Sequence, residues 1–379
     1  DIQALRGIAV FLVFLNHIHY LPNGFLGVDI FFVISGFIIT ASLYKRRNKE
    51  FNLKSFLSSF YKRRLQRLLP ILLVFIFFTS IGVYAFIPSP VLTIRAGMSS
   101  IFGLSNLYFI KRSLDYFDTS ALLNPFTHTW SLAVEEQFYL LYPLITWFTG
   151  FSRNLTVGKN NLIKVLLFLT TFSWLLYCFL NFSNQSLAYF LLPSRFWEIS
   201  FGCLIFLLFN NKVIEKISTF NLNQSLLLSL VVLVMFIPNY FTTITTTLVV
   251  FLTSLLILSN KNSDKKNILT NPKIVFFGKI SYSLYLWHWP IIWLVRMTLG
   301  INIASIVFSS FLILICSVIS FYFIENKIRR SKVEKLFLKA SISCSLLLIG
   351  LIFSNKFLAK RIYNFVNFDF PLNAKIVNN

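Results

Sequence analysis

The first apolar run of the chain carries two ionisable side chains, Arg6 and His17. They are eleven residues apart, and eleven helical steps return to within about 20° of the same face. On a helix both look along one line, roughly 16 Å apart. An ionisable group inside a membrane span is costly and marks a functional site by default. Histidine is the side chain suited to exchanging a proton near neutral pH, as general base or as transient acyl carrier. A hydrogen-bonded structural histidine is the alternative, and the arginine on the same face favours catalysis. His19 is turned about 200° away and reads as interfacial. Asp29 stands at the mouth of the second apolar run, in Gly27-Val28-Asp29-Ile30-Phe31-Phe32-Val33-Ile34-Ser35-Gly36-Phe37. It could orient His17 across a short outer loop, or lie at the interface beside a close-packing face made by Ser35 and Gly36.

Four further clusters carry chemistry. Arg64 and Arg67 share a helix face before the third run, and two guanidinium forks suit a phosphate-bearing ligand. Their basic neighbourhood also reads as a positive-inside anchor. Glu135 and Glu136 follow Thr127-His128-Thr129-Trp130-Ser131 at the start of the fourth run. Adjacent positions face about 100° apart, so one acid at most lines a site; an acidic first turn also suits the helix dipole. Arg195 and Glu198 are i,i+3 and expected to pair, as structure or as a site. His288 lies between Trp287 and Trp289, just before Pro290, which is expected to kink or break its helix. That segment could line a sugar or an acyl chain, or pack as an aromatic kink.

The elements that must position these residues are membrane helices. Of 379 residues 56% are hydrophobic and 13% charged, against about 25% charged in soluble domains. Mean hydropathy is +0.72. These values exclude a soluble globular enzyme, a disordered chain and a nucleic-acid-binding domain. The net charge of +22 sits between apolar runs, where it reads as topology. Apolar runs near the length needed to cross hydrocarbon fall at 4–20, 26–44, 68–87, 130–149, 162–180, 195–210, 224–238, 246–259, 280–298, 302–322 and 337–356. The spans 224–238 and 246–259 are short enough to be re-entrant, and 91–110 reads as an outer half-helix. With residue 1 inside, Arg6 and the inner loops hold 26 of the 35 basic residues. The C-terminus is then outside. Four cysteines at wide spacing within apolar runs give neither a zinc pattern nor a disulfide framework. The first run shows no signal-peptide cleavage site, and the opening Asp1 suggests that a few upstream residues are missing.

Taken in order, these motifs resemble the acyltransferase-3 family of bacterial membrane acyltransferases. The resemblance rests on Asp1–Val10, the Arg6–His17 spacing, Gly27–Phe37, Arg64-Leu65-Gln66-Arg67, Trp130–Tyr142 and Ser281–Pro290. It looks closest to the branch that O-acetylates O-antigen and other surface polysaccharides. It implies an all-α integral membrane protein, a ten-span core over 1–325 with an eleventh helix in 326–356 and an extracytoplasmic tail at 357–379. It implies acetyl-CoA as cytoplasmic donor, an extracytoplasmic glycan as acceptor, and no metal. In related two-domain proteins the eleventh span leads to an SGNH hydrolase-like domain; the Gly-Asp-Ser motif of that domain does not occur in this sequence. Either the chain is trimmed, with such a domain in cis beyond it or in trans, or the domain is absent.

From the resemblance and the residues together, Arg64 and Arg67 are expected to hold the coenzyme phosphates, with Arg6 along the path of the pantetheine arm. His17 is the expected base or acyl carrier, its tautomer set by Asp29, Glu135 or Glu136. Trp130, Tyr139, Arg195, Glu198, Trp287 and His288 are expected to face substrate. The site is expected in a bacterial inner membrane, with the lipid bilayer as partner and no nucleic acid. The competing classes are a proton-coupled glycan transporter or flippase and a structural subunit of an envelope machine; the buried charges argue against the second.

Overall fold

A computed structural model describes residues 2–45, 52–87, 90–112, 123–152, 155–208, 223–259 and 268–326, together with 343, 344, 346, 347 and 350. The expected eleventh span and the tail otherwise lie outside the described residues. What is described is helical throughout: α1 (Ile2–His17), α2 (Gly27–Lys45), α3 (Leu53–Phe86), α4 (Val91–Ile101), α5 (Ser105–Lys111), α6 (Thr129–Phe148), α7 (Leu155–Ser183), α8 (Gln185–Phe190), α9 (Leu192–Leu208), α10 (Gln224–Val234), α11 (Thr242–Ser259), α12 (Pro272–Lys279), α13 (Ser281–Thr298) and α14 (Ile303–Ser320), the last passing into a π-helical turn at Phe321–Glu325. Helices satisfy their own backbone groups, which lipid cannot do.

Among the described residues six helical stretches are long and apolar enough to cross a membrane: Gly24–Lys45, Leu53–Phe86, Thr156–Ser183, Gln185–Leu208, Thr242–Ser259 and Ile303–Glu325. α1, α6, α10 and α13 coincide with expected spans but fall short on length or on hydropathy. α1 has 16 residues and α10 has 11, while α6 carries two glutamates and α13 an arginine and a histidine. The faces of α7 and α14 agree with a lipid setting. Phe168, Phe172 and Phe179 on the one, and Val307, Phe308 and Phe311 on the other, are exposed. The expected outer half-helix is two short helices, α4 and α5, broken at Gly103, which takes the left-handed conformation at φ 64°. Pro290 does not break its helix: α13 runs through it from Ser281 to Thr298. Its cost is a missing N–H, which releases the carbonyl of Leu286 one turn back.

The chain divides into two units: one of residues up to 61 and 134–282, the other of 62–133 and those from 283 on. In the first unit α9 packs on α2 and α7, and α1 packs on α2 and α12. Both crossings rest on glycine. A Cβ on Gly36 would meet the Ile199 carbonyl at 1.8 Å, and one on Gly202 the Val33 carbonyl at 1.9 Å. A Cβ on Gly278 would meet the Gln3 carbonyl at 1.6 Å. Small residues let backbones touch, which is how helices gain packing where lipid gives no hydrophobic drive between them.

Candidate active site

In the first unit α1 is one uninterrupted helix across both Arg6 and His17, so the face argument holds along its length. Arg6 is half-buried and His17, in its last turn, is buried. Asn16, beside it, ties the loop that follows by donating Nδ2 to the carbonyls of Leu21 (3.0 Å) and Pro22 (2.8 Å). Asn23 anchors the start of α2: its N–H donates to the Met235 carbonyl (3.0 Å) and its Nδ2 to that of Ile237.

Asp29 lies in the first turn of α2, buried, and is ion-paired. Arg195 Nη1 donates to Asp29 Oδ1 at 3.0 Å and to Glu198 Oε1 at 2.7 Å. Arg195 Nε donates to the Tyr189 carbonyl at 3.1 Å, and its guanidinium lies 4.7 Å from the Tyr189 ring and 5.1 Å from that of Tyr177. The expected i,i+3 pair of Arg195 and Glu198 is present, and Asp29 is a third member that no local pattern announced. The register explains it. Asp29 and Gly36 are seven residues apart, as are Arg195 and Gly202. Two helices running the same way that touch at the two glycines bring the charges together two turns back.

Ser35, on the same helix as Asp29, donates its hydroxyl to Glu135 Oε1 of α6. Glu136 is half-buried about 100° round that helix. One acid of the two thus faces α2, as the spacing requires. Tyr139 is buried on α6, and Tyr142, one turn on, lies 2.8 Å from Thr40 of α2. A groove of about 580 Å³ between α6, α7 and α9 is lined by apolar side chains such as Leu141, Phe148, Phe172 and Phe196; no candidate residue lines it.

In the second unit Arg64 and Arg67 lie on α3, six and three residues before Pro70, both half-buried. Arg67 Nε is buried without a hydrogen-bond acceptor, so this guanidinium has donor capacity to spare. Trp130 is buried at the start of α6. Trp287 packs edge-on to Phe75, ring centres 6.0 Å apart, and its N–H donates to Ser320 Oγ at 2.8 Å. His288 Nδ1 lies 2.6 Å from the Tyr285 carbonyl and must donate to it, which leaves Nε2 as the basic nitrogen of the neutral ring.

His128 is the residue that sequence reasoning passed over. It is 2% exposed and its ring centre is 5.4 Å from that of His288. Tyr285 Oη donates to the His128 carbonyl (3.0 Å) and lies 2.6 Å from Ser131 Oγ. The signal was available: a histidine directly before an apolar helix.

The acyltransferase-3 family, described as an acyltransferase domain, matches residues 1–325. O-acetyltransferase OatA of Staphylococcus aureus is 30% identical over 351 residues, covering 87% of this chain and 57% of that protein. Peptidoglycan O-acetyltransferase OatA of Listeria monocytogenes is 30% identical over 352 residues, covering 87% and 56%. YrhL of Bacillus subtilis is 29% identical over 349 residues, covering 86% and 54%. The chain thus spans a little over half the length of these curated relatives. None of these three names carries O-antigen, the branch expected from the motifs, and two of them, those of the Listeria and Bacillus proteins, carry peptidoglycan. No solved structure matches.

Proposed function

The chain belongs to the acyltransferase-3 family of acyltransferase domains, and from that premise we propose that it moves an acetyl group from acetyl-CoA at the inner membrane face to a hydroxyl of an extracytoplasmic glycan. The observation that carries this reading is the family match over the whole described core, on a chain whose first helix holds Arg6 and His17 on one face.

The names of the relatives favour a peptidoglycan sugar over lipid-linked O-antigen as acceptor. Arg64 and Arg67 hold the coenzyme phosphates by charge-assisted hydrogen bonds, the spare Nε of Arg67 among the donors. His17 takes the proton of the acceptor hydroxyl, or carries the acetyl group and passes it on. Arg6 supplies positive charge to the developing oxyanion or to the coenzyme arm. Glu135 and Glu136 on α6, with Trp130, Tyr139, Trp287 and His288, bear on substrate. Acetyl transfer conserves protons: the hydroxyl loses one and the coenzyme thiolate gains one.

The test is acetyl transfer in membranes holding the chain or its His17→Ala variant at equal protein level. Labelled acetyl-CoA is supplied, and alkali-labile label is counted in peptidoglycan and in lipid-linked glycan. Label in peptidoglycan that falls by about a hundredfold or more in the variant is expected, the range of general acid–base catalysis. Equal label in both membranes would remove His17 from the chemistry. Label in the lipid-linked fraction alone would move the acceptor to the surface polysaccharides.

A further inference from the structure

Two carboxyl groups and one guanidinium meet where α2 crosses α9. Asp29 is 3% exposed, Arg195 2% and Glu198 0%. Tyr177 of α7 and Tyr189 of α8 stack on the guanidinium, and Thr246 of α11 accepts from Tyr177. Among the described residues Arg195 is the one cation that pairs with either carboxyl. With both acids ionised, the cluster would carry one uncompensated negative charge inside the helices, where the medium screens poorly.

The oxygen geometry points the same way. Arg195 Nη1 is shared between Asp29 Oδ1 and Glu198 Oε1. Glu198 Oε2 is buried and accepts from no donor. Oδ1 of Asp29 and Oε1 of Glu198 lie 3.0 and 2.7 Å from that one nitrogen, so the two carboxyl groups are held side by side. Carboxylate oxygens only accept, so two neighbouring ones repel unless one bears hydrogen. A single proton supplies the missing donor and brings the cluster to net zero.

We propose that Asp29 and Glu198 share one proton over Arg195, making this cluster a buried proton-binding site and not a plain salt bridge. The proton belongs to the pair, as in other closely coupled carboxyls, and not to either residue alone. Its ligand is H⁺. The geometry leaves one oxygen of each carboxyl group already on the guanidinium, with few to spare for a hard cation such as Ca²⁺ or Mg²⁺, which takes six or more. This inference holds whatever the chain acylates, since nothing in it involves a donor or an acceptor.

Infrared spectra of the detergent-purified chain at neutral pH test it. The expected result is a protonated-carboxyl C=O stretch, shifted in D₂O, that disappears in Asp29→Asn and equally in Glu198→Gln. Either amide leaves one carboxylate against one guanidinium and no need of a proton. Wild-type spectra indistinguishable from both variants in this region would overturn the proposal. Melting temperature gives a second reading. Each single amide variant is expected within a few degrees of wild type. The double variant, which strands the guanidinium, and Arg195→Gln, which strands the acids, are expected to fall much further. Single variants that fall as far as the double would show that both charges are needed, against the proposal. A melting temperature that rises with sodium but not with choline would put a metal cation where the proton is placed, and would equally overturn it.

Discussion

At the residue scale, buried charge is the organising problem of this chain. Arg64 and Arg67 lie half-buried on one helix face, with the Nε of Arg67 buried and without an acceptor, whereas Arg195 is bonded to two carboxyl groups and a carbonyl. The two sets should therefore respond differently to substitution. Replacing Arg64 and Arg67 together by Ala is expected to weaken acetyl-CoA binding by ten- to a hundredfold or more, since a charge-assisted hydrogen bond contributes about 1.5–3 kcal/mol. The melting temperature should change little. Isothermal titration on detergent-purified protein reads the first and a thermal melt the second; unchanged affinity would remove both from the donor site. Arg195→Leu is expected to do the opposite. It leaves two buried acids without a cation, at about 3–5 kcal/mol where one partner of a buried pair is removed, and the melt should show it before any assay does. The i,i+3 spacing made the Arg195–Glu198 pair legible in the sequence. Asp29, 166 positions away, was not, because no local pattern records a helix crossing.

At the element scale, the crossing of α2 and α9 depends on two residues without side chains. Gly36 and Gly202 let the carbonyls of Ile199 and Val33 approach to distances that no Cβ tolerates. The obstructing atoms are backbone, which cannot rotate aside. Gly202→Ala is therefore expected to push the helices apart and to cost at least the roughly 1–3 kcal/mol of an overpacked core. Gly82, with open space at its Cβ position, is the matched control, and Gly82→Ala should be neutral in the same melt. If Gly202→Ala melts with the control, the crossing is not set by the glycines. Pro290 illustrates the reverse case, a residue whose local rule misled. The rule expects a break, yet α13 continues through it, with Tyr285 bonded to the His128 carbonyl and Trp289 to that of Asn124 on the turns around the proline. Those partners come from the flank of α6 and lie beyond any reading of the α13 segment alone.

At the scale of the whole molecule, the distribution of lysine and arginine assigns sides to the loops. The exposed Tyr240, in the turn between α10 and α11, is expected outside, and Lys54, at the start of α3, inside. Tyr240→Cys should react with a membrane-impermeant maleimide in intact cells, and Lys54→Cys only after permeabilisation. The reverse pattern would invert the topology and move the donor arginines to the wrong face. The helical class, ten of the helix positions and the family were all open to sequence reasoning. They follow from local quantities: apolar run length, the 100° step along a helix and the ordered set of motifs over residues 1–325. The acceptor was not open to it: the motifs pointed to the O-antigen branch, whereas the names of two relatives carry peptidoglycan. Tertiary structure alone decided that Asp29 joins Arg195 and Glu198, that Ser35 meets Glu135, and that His128 and His288 form one imidazole pair. Each of these contacts joins helices far apart in the chain. Apolar periodicity determines that a helix forms and which sides are greasy, while the partner of each face depends on where backbones can touch, and only the packed helices settle that.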